Sequence, residues 1–595
     1  MILVFGGTTE GRKAAEVLEE SGNTYYYSTK TGEQDITLHH GQRIDGALDA
    51  EAMLAFCREH GIKMIVDAAH PFASQLHETI AKVSVLQQIS VVRYERIYPK
   101  RDPDIIWIDD YSQVPTDISS LLATTGVQSI SKLRYLEGKG VKVYYRILDR
   151  ESSIALARRQ GASEEQLCYY RNPDEIPVQA EAILLKESGV SGGFCEKVEA
   201  AKALGMKVIA LKRPTSPTLL RGNDSQSLIV NGPYGLRRMV EKLLPEFYPL
   251  HCGLTTGTCA TAAAVAATLQ LIEKGEKHSS LPKEVPVILP NGETISVPVG
   301  YGDDYAYCIK EAGDDPDVTN GIEVRASLTF DSSHEGVERI EIHGGEGVGR
   351  FTLPGFDYPP GSPAINKAPR EMIRRNIEQL SIVNCPISIT ISVPGGSEIA
   401  RRTFNPRLGI EGGISIIGVS GIVKPFSEEA FIDSIRKCMT VAQASGSERV
   451  VINSGGKSER FVKALYPDLP QQAFVEYGNY IGETLKIAHE LDFKKVTLGV
   501  MLGKAVKLAQ GHLDTHSRKV TMDKAFVRQL LHEADCEIDI SDITLAREIW
   551  EKIPSDKLNK FASTIIRHCQ AHCNPLLPNG ALTILLIDDG GHIYE

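Results

Sequence analysis

Short apolar runs alternate with helical patterns through about the first 250 residues, and this alternation limits what the chain can fold into. Strands predicted at residues 2–5, 24–28 and 63–68 are separated by helices predicted at residues 12–20 and 50–60. A strand–helix–strand order of this kind places the strands parallel in one sheet, with helices covering its faces. The sequence therefore predicts an α/β fold for this region.

A second series of the same kind begins near Leu121. It predicts strands at residues 141–146, 182–186 and 207–211, with helices at residues 152–160 and 196–204. A last helix at residues 235–243 leads into Pro245-Glu246-Phe247-Tyr248-Pro249, where the proline spacing and a change of pattern predict a linker. Because the 595-residue chain is longer than one core supports, we expect two domains, 1–248 and 249–595.

The second half of the chain has a different pattern. Residues 251–267 combine a Thr/Gly-rich turn with an alanine-rich helix, and segments typical of antiparallel strands follow. From about Gly412 the alternation returns, with strands predicted at 414–417, 449–453, 473–477 and 495–500 and helices at 428–444, 459–465 and 483–491. We therefore expect an α+β lobe at about 249–407 and a further α/β lobe at about 408–595.

Composition and charge exclude several classes of function. The net charge of -11 argues against nucleic acid as a partner, because phosphate binding needs a basic face. No apolar run approaches the ~20 residues that cross a bilayer, and MILVFGG carries no basic leader, so we expect a cytoplasmic protein without a membrane partner. The 11 cysteines are mostly single and are expected to be reduced. No metal site is predicted, and the oligomeric state stays open.

A glycine turn follows the first predicted strand. Gly6 and Gly11 fit the first and last glycines of GxGxxG, whereas Thr8 replaces the middle glycine. The backbone N–H groups of Gly6, Gly7, Thr8 and Gly11 would bind a dinucleotide pyrophosphate, and a tight turn without a ligand explains the motif equally well. Residues 28–30 hold no acidic side chain, which favours a 2′-phosphate and leaves NADPH against NADH open.

Polar segments follow other predicted strands of the first half. In open α/β sheets, ligands bind beyond the carboxyl ends of the strands. The segments VDAAHPFA, LLATTG and LLKESG lie at such ends. Together with VFGGTTEGR, they resemble the precorrin-6A reductase family over about residues 1–248. The resemblance implies two Rossmann-like parallel-sheet lobes and hydride transfer from NADPH or NADH to a conjugated tetrapyrrole.

The same resemblance implies roles for individual residues. Those that would face the substrate or the nicotinamide are Thr125, Gly126, Ser188 and Gly189. His70 and Lys186 are the catalytic candidates, either for proton delivery or for stabilising charge. His70 precedes Pro71 and fits a cap at the strand end equally well.

Seven segments of the second half carry a second resemblance. They are LTTGTCATAAA, IKEAGDDPDVTNG, GGEGVGRFTLPG, PAINKAPREMI, TFNPRLGIEGGISIIGVSGIVKPFSEEA, YGNYIGETL and GVMLGKAVKLAQGHLDTHS. In this order they resemble the anaerobic-pathway cobalt-precorrin-5B carbon-1 methyltransferases, from about residue 251 onward. The resemblance implies methyl transfer from S-adenosylmethionine to a ring carbon. Any cobalt would lie in the substrate and needs no protein site.

Candidate residues in this half lie in polar and glycine-rich segments. Those expected to bind substrate carboxylates are Thr255, Thr256, Gly257, Thr258, Gly345 and Gly347. Glycine-rich turns without a ligand are the competing explanation for them. Those expected to bind S-adenosylmethionine are Gly418, Ser420, Gly421, Tyr477, Gly478 and Asn479. His512 and His516 are catalytic candidates, and helix capping accounts for them equally well.

The leading interpretation is a bifunctional enzyme of corrin-ring biosynthesis. It would methylate cobalt-precorrin-5B to cobalt-precorrin-6A and then reduce the product to cobalt-precorrin-6B. Two alternatives remain: one half is an inactive module that binds substrate, or both halves act on another tetrapyrrole.

Overall fold

A computed structural model describes residues 1–30, 32, 34–170, 172, 175–214, 228–273, 281–330, 340–380 and 386–595. It divides into two compact units. Unit 1 consists of residues 1–252 and 286–296, and unit 2 consists of residues 253–285 and 297–595. The expected division into independently folding domains at residue 248 stays a prediction.

The described residues between 1 and 252 contain twelve strands and seven α-helices. The strands are β1 (Ile2–Phe5), β2 (Tyr25–Thr29), β3 (Gly41–Asp45), β4 (Met64–Asp67), β5 (Ser90–Tyr94), β6 (Ile106–Ile108), β7 (Ser120–Ala123), β8 (Lys142–Leu148), β9 (Leu167–Tyr170), β10 (Ala182–Lys186), β11 (Lys207–Leu211) and β12 (Leu228–Val230). The helices are α1 (Thr9–Glu19), α2 (Ala50–Glu59), α3 (Ser74–Gln87), α4 (Ile130–Leu133), α5 (Glu151–Arg159), α6 (Phe194–Ala203) and α7 (Pro233–Leu243).

These strands form two parallel sheets with doubly wound order. The first sheet runs β3-β2-β1-β4-β5-β12, and the second runs β9-β8-β7-β10-β11-β6. Every pairing in both sheets is parallel. The order reverses between β1 and β4 in the first sheet, and between β7 and β10 in the second. The parallel sheets expected for the first half are thus confirmed.

Strand β1 illustrates why these residues form a central strand. All four of its side chains are buried. Ile2 and Val4 pack in the cluster that includes Leu18 of α1, whereas Leu3 and Phe5 pack in the cluster on the opposite face. A strand covered on both faces is expected to be apolar throughout, which is what the sequence shows.

Helix α1 begins at Thr9, three positions before the predicted start at Arg12. The reason is a cap at Thr8, whose Oγ1 accepts a hydrogen bond from the Gly11 N–H at 2.9 Å. From the sequence, Thr8 was a departure from the glycine motif and a predicted pyrophosphate-binding residue. Its hydroxyl instead defines where the helix starts.

Sixteen strands and ten α-helices follow in the described residues after Cys252. The strands are β13 (Gly253–Leu254), β14 (Glu284–Ile288), β15 (Thr294–Pro298), β16 (Gly300–Tyr301), β17 (Ala306–Ile309), β18 (Glu323–Phe330), β19 (Ile340–Gly344), β20 (Arg350–Phe351), β21 (Ile387–Ser392), β22 (Ile410–Glu411), β23 (Ile422–Val423), β24 (Arg449–Asn453), β25 (Phe474–Glu476), β26 (Lys495–Met501), β27 (Ala581–Ile587) and β28 (Ile593–Tyr594). The helices are α8 (Thr256–Glu273), α9 (Lys367–Gln379), α10 (Gly396–Ala400), α11 (Glu428–Ala444), α12 (Gly456–Leu465), α13 (Ile481–Glu490), α14 (Leu502–Ala509), α15 (Lys524–Glu533), α16 (Glu548–Lys552) and α17 (Leu558–Cys573).

Unit 2 contains a mixed sheet and a largely parallel sheet. The mixed sheet runs β16-β17-β18-β21-β19, and only its β19–β21 pairing is parallel. Helix α8 packs against this sheet and is buried on every side from Thr256 to Thr268, as its alanine-rich sequence requires. The other sheet runs β25-β24-β26-β27-β28, with β28 antiparallel.

The prediction of a strand at residues 414–417 is wrong. Ile414 forms an isolated bridge to Val348, and Ile416 forms one to Ile365. Both partners lie outside the strands, so the segment does not join a ladder. On either side of this segment, β22 pairs with β20 and β23 pairs with β13. Both partners precede residue 407, so β22 and β23 belong with the first lobe of this half. The boundary between the two lobes would then lie nearer residue 427 than residue 407, and the division into two lobes stays a prediction.

Candidate functional sites

The motifs singled out in the first half lie at the two points where strand order reverses. Residues 6–11 follow β1, and residues 68–72 follow its neighbour β4. In the second sheet, residues 124–126 follow β7, and residues 187–189 follow its neighbour β10. Crevices at such switch points are where doubly wound sheets bind ligands. The topology therefore brings each pair of motifs to one sheet edge.

The three glycines of the first turn have different physical roles. Gly7 has φ 83° and no atom within 4 Å of where a Cβ would lie. A Cβ on Gly6 would lie 2.1 Å from Tyr27 Oη, and one on Gly11 would lie 2.7 Å from the Cα of Gly6. Gly6 and Gly11 thus permit close packing of α1 on the sheet, whereas Gly7 supplies a left-handed backbone in open space.

Gln34 completes this turn, although sequence reasoning missed it. Its Oε1 accepts hydrogen bonds from the Gly7 N–H at 3.0 Å and from Tyr27 Oη at 2.7 Å, and its Nε2 donates to the Thr8 carbonyl at 2.9 Å. An acceptor oxygen already satisfies the Gly7 N–H, which is the kind of bond that a phosphate oxygen would make. No local sequence signal marks Gln34, because it lies in an irregular segment between β2 and β3.

His70 is a neutral imidazole. Its Nδ1 accepts a hydrogen bond from the Phe72 N–H at 3.2 Å, so the ring proton lies on Nε2. Burial lowers the pKa of His70 to about 4, and the charges of Arg96 and Lys186 act in the same direction. The bond to Phe72 is the strand-end cap that the sequence left open. At neutral pH the ring can donate a hydrogen bond, but it is not a proton-donating imidazolium.

A buried charged group lies directly behind His70. Asp67 Oδ2 lies 2.7 Å from His77 Nδ1, and Asp67 Oδ1 accepts from Arg93 Nη1 at 2.8 Å. His77 Nε2 donates to the His70 carbonyl at 3.0 Å. The side chains of Asp67, His77 and Arg93 are all less than a tenth exposed. This group holds the backbone that carries His70.

Lys186, at the end of β10, is a cation with an aromatic neighbour and no acidic partner in the described part of the chain. Its Nζ lies 5.1 Å from the centre of the Phe72 ring, and no acidic side chain pairs with it within the described ranges. Burial lowers the pKa of Lys186, and the charge of Lys132 adds to this effect. A partly buried ammonium without a counter-ion is suited to a ligand carboxylate or to proton transfer.

The other predicted residues at this edge mostly shape the loops. Thr125 Oγ1 pairs with Ser129 Oγ at 2.6 Å, and Ser188 Oγ donates to the Gly192 carbonyl at 3.1 Å. Gly126 and Gly189 have φ of 87° and 71°. Open space surrounds Gly126, so its backbone is accessible to a ligand.

Arg96 joins the two switch points of unit 1, although it lies in no motif that would have predicted this role. Its Nε donates to Glu10 of α1 at 2.8 Å, and its Nη1 donates to the Ser188 carbonyl at 2.7 Å. Ser191 donates to the same Glu10 carboxylate. Arg96 and Glu10 are both buried, so the pair is shielded from solvent. The predicted cofactor turn and the predicted substrate loop are thereby held together.

In unit 2, the polar groups of residues 255–258 bond within the protein. Thr258 Oγ1 donates to the Gly421 carbonyl at 2.6 Å, Thr256 Oγ1 accepts from the Ile417 N–H at 2.9 Å, and the Gly257 N–H donates to the Ile417 carbonyl at 2.9 Å. Thr255 Oγ1 accepts from the Thr258 N–H at 3.2 Å. These groups are buried and satisfied, so the geometry gives no support to the expected carboxylate binding.

The glycine-rich turn near residue 345 is explained by packing. A Cβ on Gly347 would lie 1.8 Å from the Val393 carbonyl oxygen, and Gly396 and Gly413 pack on the same backbone. The Gly345 N–H donates to the Ile391 carbonyl at 2.7 Å. The Gly345 N–H is therefore occupied, and the tight packing around Gly347 explains why that position is a glycine.

The six residues predicted to bind S-adenosylmethionine fall into two groups. In the first, Gly418 lies against Thr255, and Gly421 accepts from Thr255 and Thr258. In the second, Tyr477 is fully buried at the end of β25 and donates to the Gly499 carbonyl at 3.3 Å. No hydrogen bond joins the two groups among the residues that the structure describes. The remaining members are Ser420, which bonds to Ile422, and Gly478 and Asn479, whose carbonyls accept from Lys504 and Thr515.

The two histidines predicted to be catalytic lie near the end of α14. His516 Nδ1 accepts from the Arg518 N–H at 3.1 Å, which is a local cap. The His512 N–H donates to the Lys507 carbonyl at 3.0 Å and closes the helix. The His516 bond agrees with the capping alternative, whereas the His512 bond involves only the backbone.

The described residues contain neither a membrane-spanning helix nor a metal-binding group. No helix there is both long and apolar enough to cross a bilayer. In the same part of the chain, no three His, Cys, Asp or Glu side chains converge as a metal-binding group would.

The chain is similar to two known families in succession. Residues 1–229 match the family described as precorrin-6x reductase CbiJ/CobK, and residues 245–425 match the family described as CbiD. A cobalt-precorrin-5B C(1)-methyltransferase of Prosthecochloris aestuarii is 42% identical over 352 residues, covering 57% of this chain and 94% of the relative. The enzyme of the same name from Geobacillus kaustophilus is 37% identical, covering 56% of this chain and 90% of the relative.

Two solved structures are each similar to a part of the chain. The cobalamin biosynthesis protein CbiD of Archaeoglobus fulgidus is 29% identical with a TM-score of 0.26, covering 45% of this chain and 83% of the other. A structure titled CobK precorrin-6A reductase is 17% identical with a TM-score of 0.33, covering 41% of this chain and 96% of the other.

Proposed function

Because the chain belongs to the cobalt-precorrin-5B C(1)-methyltransferase family and carries a precorrin-6x reductase match ahead of it, we infer that it is a bifunctional enzyme of cobalamin biosynthesis. The second half methylates carbon 1 of cobalt-precorrin-5B with S-adenosylmethionine. The first half reduces the resulting cobalt-precorrin-6A to cobalt-precorrin-6B with NADPH or NADH. The observation that carries this function is the succession of the two family matches in one chain.

In the reductase half, the reduced nicotinamide supplies the hydride, and the protein binds, orients and neutralises charge. The open backbone at Gly7 is suited to the pyrophosphate, with Gln34 giving up its bond to that N–H. Lys186 is the stronger candidate for proton delivery, because burial moves its pKa towards neutrality. His70, held neutral, would donate a hydrogen bond from Nε2 to the ring system.

We propose NADPH as the reductant of the first half. Ser28, Thr29 and Lys30 lie at the carboxyl end of β2, where NAD-binding sheets carry an acidic residue for the ribose. Arg43 on the neighbouring β3 adds a second cation, although its Nε pairs with Asp45 at 2.9 Å. Arg43→Ala should weaken NADPH binding and leave NADH binding nearly unchanged, which calorimetric titration of both cofactors would measure. Equal losses for the two cofactors would contradict the preference.

In the methyltransferase half, S-adenosylmethionine supplies an electrophilic methyl group that a nucleophilic ring carbon displaces in line. The protein's task is to orient donor and acceptor in a cleft from which water is excluded. No covalent intermediate with the enzyme is required. The substrate is a small-molecule tetrapyrrole, and a cytoplasmic location fits the use of these cosubstrates.

The test is incubation of the purified chain with cobalt-precorrin-5B, followed by mass spectrometry. With S-adenosylmethionine alone, a product heavier by about 14 mass units should accumulate, because one hydrogen is replaced by a methyl group. Adding reduced nicotinamide should then add two hydrogens. Nicotinamide alone should leave cobalt-precorrin-5B unchanged, because the reductase cleft selects the methylated ring.

Different failures of this test have different meanings. Methylation without reduction would indicate that the first half only binds substrate. Reduction of supplied cobalt-precorrin-6A without methylation would indicate that the second half only binds substrate. Efficient reduction of unmethylated cobalt-precorrin-5B would refute the proposed order of the two steps.

A further inference from the structure

The largely parallel sheet of unit 2 has a switch point that the sequence analysis did not assign. Strand β24 lies between β25 and β26 and is parallel to both, so the order reverses between β24 and β26. Successive strands in the order 2-1-3-4 bind ligands beyond the carboxyl ends at this position. Two segments reach this edge directly: Ser454-Gly455-Gly456 after β24, and Glu476 at the end of β25.

The loop after β24 is rigid and has an exposed backbone. Asn453, which is fully buried, accepts the Gly455 N–H through its Oδ1 at 3.0 Å. Ser458 Oγ accepts the Ser454 N–H at 3.1 Å. Gly455 has φ 123°, and nothing lies within 4 Å of where a Cβ on Gly456 would be. A ligand can therefore approach this backbone closely.

Glu476 faces this loop. A Cβ on Gly455 would lie 2.8 Å from Glu476 Oε1, so the bare glycine leaves room beside the carboxylate. Glu476 is half-buried, and no hydrogen bond or ion pair of its side chain occurs among the described residues. Burial raises the pKa of Glu476, and the charges of Arg407 and Lys504 only partly oppose this effect. An acidic group removed from water without a partner is costly, which points to hydrogen-bond donors on a ligand.

A neighbouring acid shows the contrast. Glu459 is buried as well, but it accepts from Arg407 Nη1 at 2.9 Å and pairs with Lys463 Nζ at 2.6 Å. Arg407 is thus committed to Glu459, and Lys504 donates to the Gly478 carbonyl, so Glu476 is left as a free acceptor. Two carboxylates so close together also disfavour an anionic group such as a phosphate.

We propose that Glu476 accepts hydrogen bonds from the ribose hydroxyls of S-adenosylmethionine, whose nucleoside lies against Gly455 and Gly456. An acid at the end of the second strand, about 20 residues after a glycine turn, binds ribose hydroxyls in doubly wound nucleotide-binding sheets. The ligand class is an adenine nucleoside with a free diol and without ribose phosphates. This assignment rests on the proposed use of S-adenosylmethionine, and it adds Glu476 and the Gly455–Gly456 loop to the predicted residues 477–479.

The test is calorimetric titration of the full chain with S-adenosylhomocysteine and with its 2′-deoxy and 3′-deoxy analogues. The wild-type chain should bind at least one deoxy analogue about 10- to 100-fold more weakly, because a hydrogen bond to a charged acceptor is lost. Glu476→Gln should weaken S-adenosylhomocysteine by a similar factor and reduce the discrimination against the deoxy analogues. Glu459→Gln is the matched control and should retain the discrimination. Circular dichroism of each variant would verify that it is folded, and Glu476→Asp is the second variant if Glu476→Gln unfolds.

Each outcome is decisive. If the wild-type chain does not bind S-adenosylhomocysteine, the proposed use of S-adenosylmethionine fails and this inference fails with it. If the wild-type chain binds but accepts both deoxy analogues equally well, the ribose assignment alone is wrong. If Glu476→Gln keeps the full discrimination, the hydroxyls bind elsewhere and the proposed function is unaffected.

Discussion

His70 should make the stability of unit 1 depend on pH in a way that one substitution can isolate. Its pKa falls from an ordinary value near 6.5 to about 4 in the folded chain. Between these two values the unfolded chain takes up a proton that the folded chain refuses. The free energy of unfolding must therefore decrease as the pH falls through this window. At 1.36 kcal/mol per pKa unit, the loss is about 2 kcal/mol at pH 5 and about 3 kcal/mol near pH 4.

The variant His70→Asn removes the titration and keeps the local bond. An asparagine Oδ1 can accept the Phe72 N–H in place of Nδ1, which accepts it at 3.2 Å in the native chain. The assay is urea unfolding of the full chain at pH 7.5 and pH 5. Trp107 in unit 1 is the fluorescent reporter, and Trp550→Phe silences the tryptophan of unit 2.

The comparison between the two proteins decides the result. Carboxylates that titrate over the same pH range contribute equally to the native chain and to His70→Asn. The native chain's additional loss of stability between pH 7.5 and pH 5 is therefore due to His70. The native chain should lose about 2 kcal/mol more than His70→Asn between the two pH values. Equal losses would refute the lowered pKa and, with it, the assignment of His70 as a neutral hydrogen-bond donor.

Three further predictions follow from the described contacts. Gly7→Ala places a Cβ on a backbone with φ 83° and should slow nicotinamide oxidation at least about 10-fold. The release of S-adenosylhomocysteine should be unchanged, and a parallel loss of both activities would indicate general unfolding. Lys310→Met leaves Asp317 without the ion pair it makes at 2.7 Å and should lower the free energy of unfolding of unit 2 by about 3 kcal/mol, with Trp550 as reporter. Adding Asp317→Leu should restore part of this loss, and no recovery would argue against the pair. Glu293→Ala removes the carboxylate that accepts a hydrogen bond from the Tyr234 N–H, at the start of α7, at 3.1 Å. It should lower the free energy of unfolding of unit 1 by about 1 kcal/mol, and an unchanged urea midpoint would contradict a capping role.

The strands that the sequence predicted best are those that are buried on both faces. The strands at 182–186, 207–211 and 449–453 have the bounds that were predicted. The helix at 428–444, which is buried on one face only and is capped by Ser427, also has its predicted bounds. Continuous apolar runs between turn residues carry this information locally. The strand predicted at 414–417 had the same local appearance, but its partners are loop residues far away in the sequence.

Side-chain roles were less accessible to sequence reasoning, because they depend on long-range partners. The hydroxyls of residues 255–258 resemble an anion-binding turn until Ile417 and Gly421 are seen to use them. Arg96 and Gln34 lie in no motif, yet each bonds to residues of the glycine turn. Glu476 stands out only once β24 and β25 are known to be neighbours.

Unit 1 is discontinuous in the sequence, and this has a consequence for its synthesis on the ribosome. Residues 286–296 belong to unit 1, although they emerge after residues 253–285 of unit 2. The nascent chain must therefore wait for this later segment before the α7 end of unit 1 acquires Glu293. At roughly 5–20 residues per second the wait lasts on the order of seconds, during which a holding chaperone would have its best access to that surface. A ribosome paused between the two segments would expose an incomplete first unit, so codon usage in this stretch should affect the yield of folded protein.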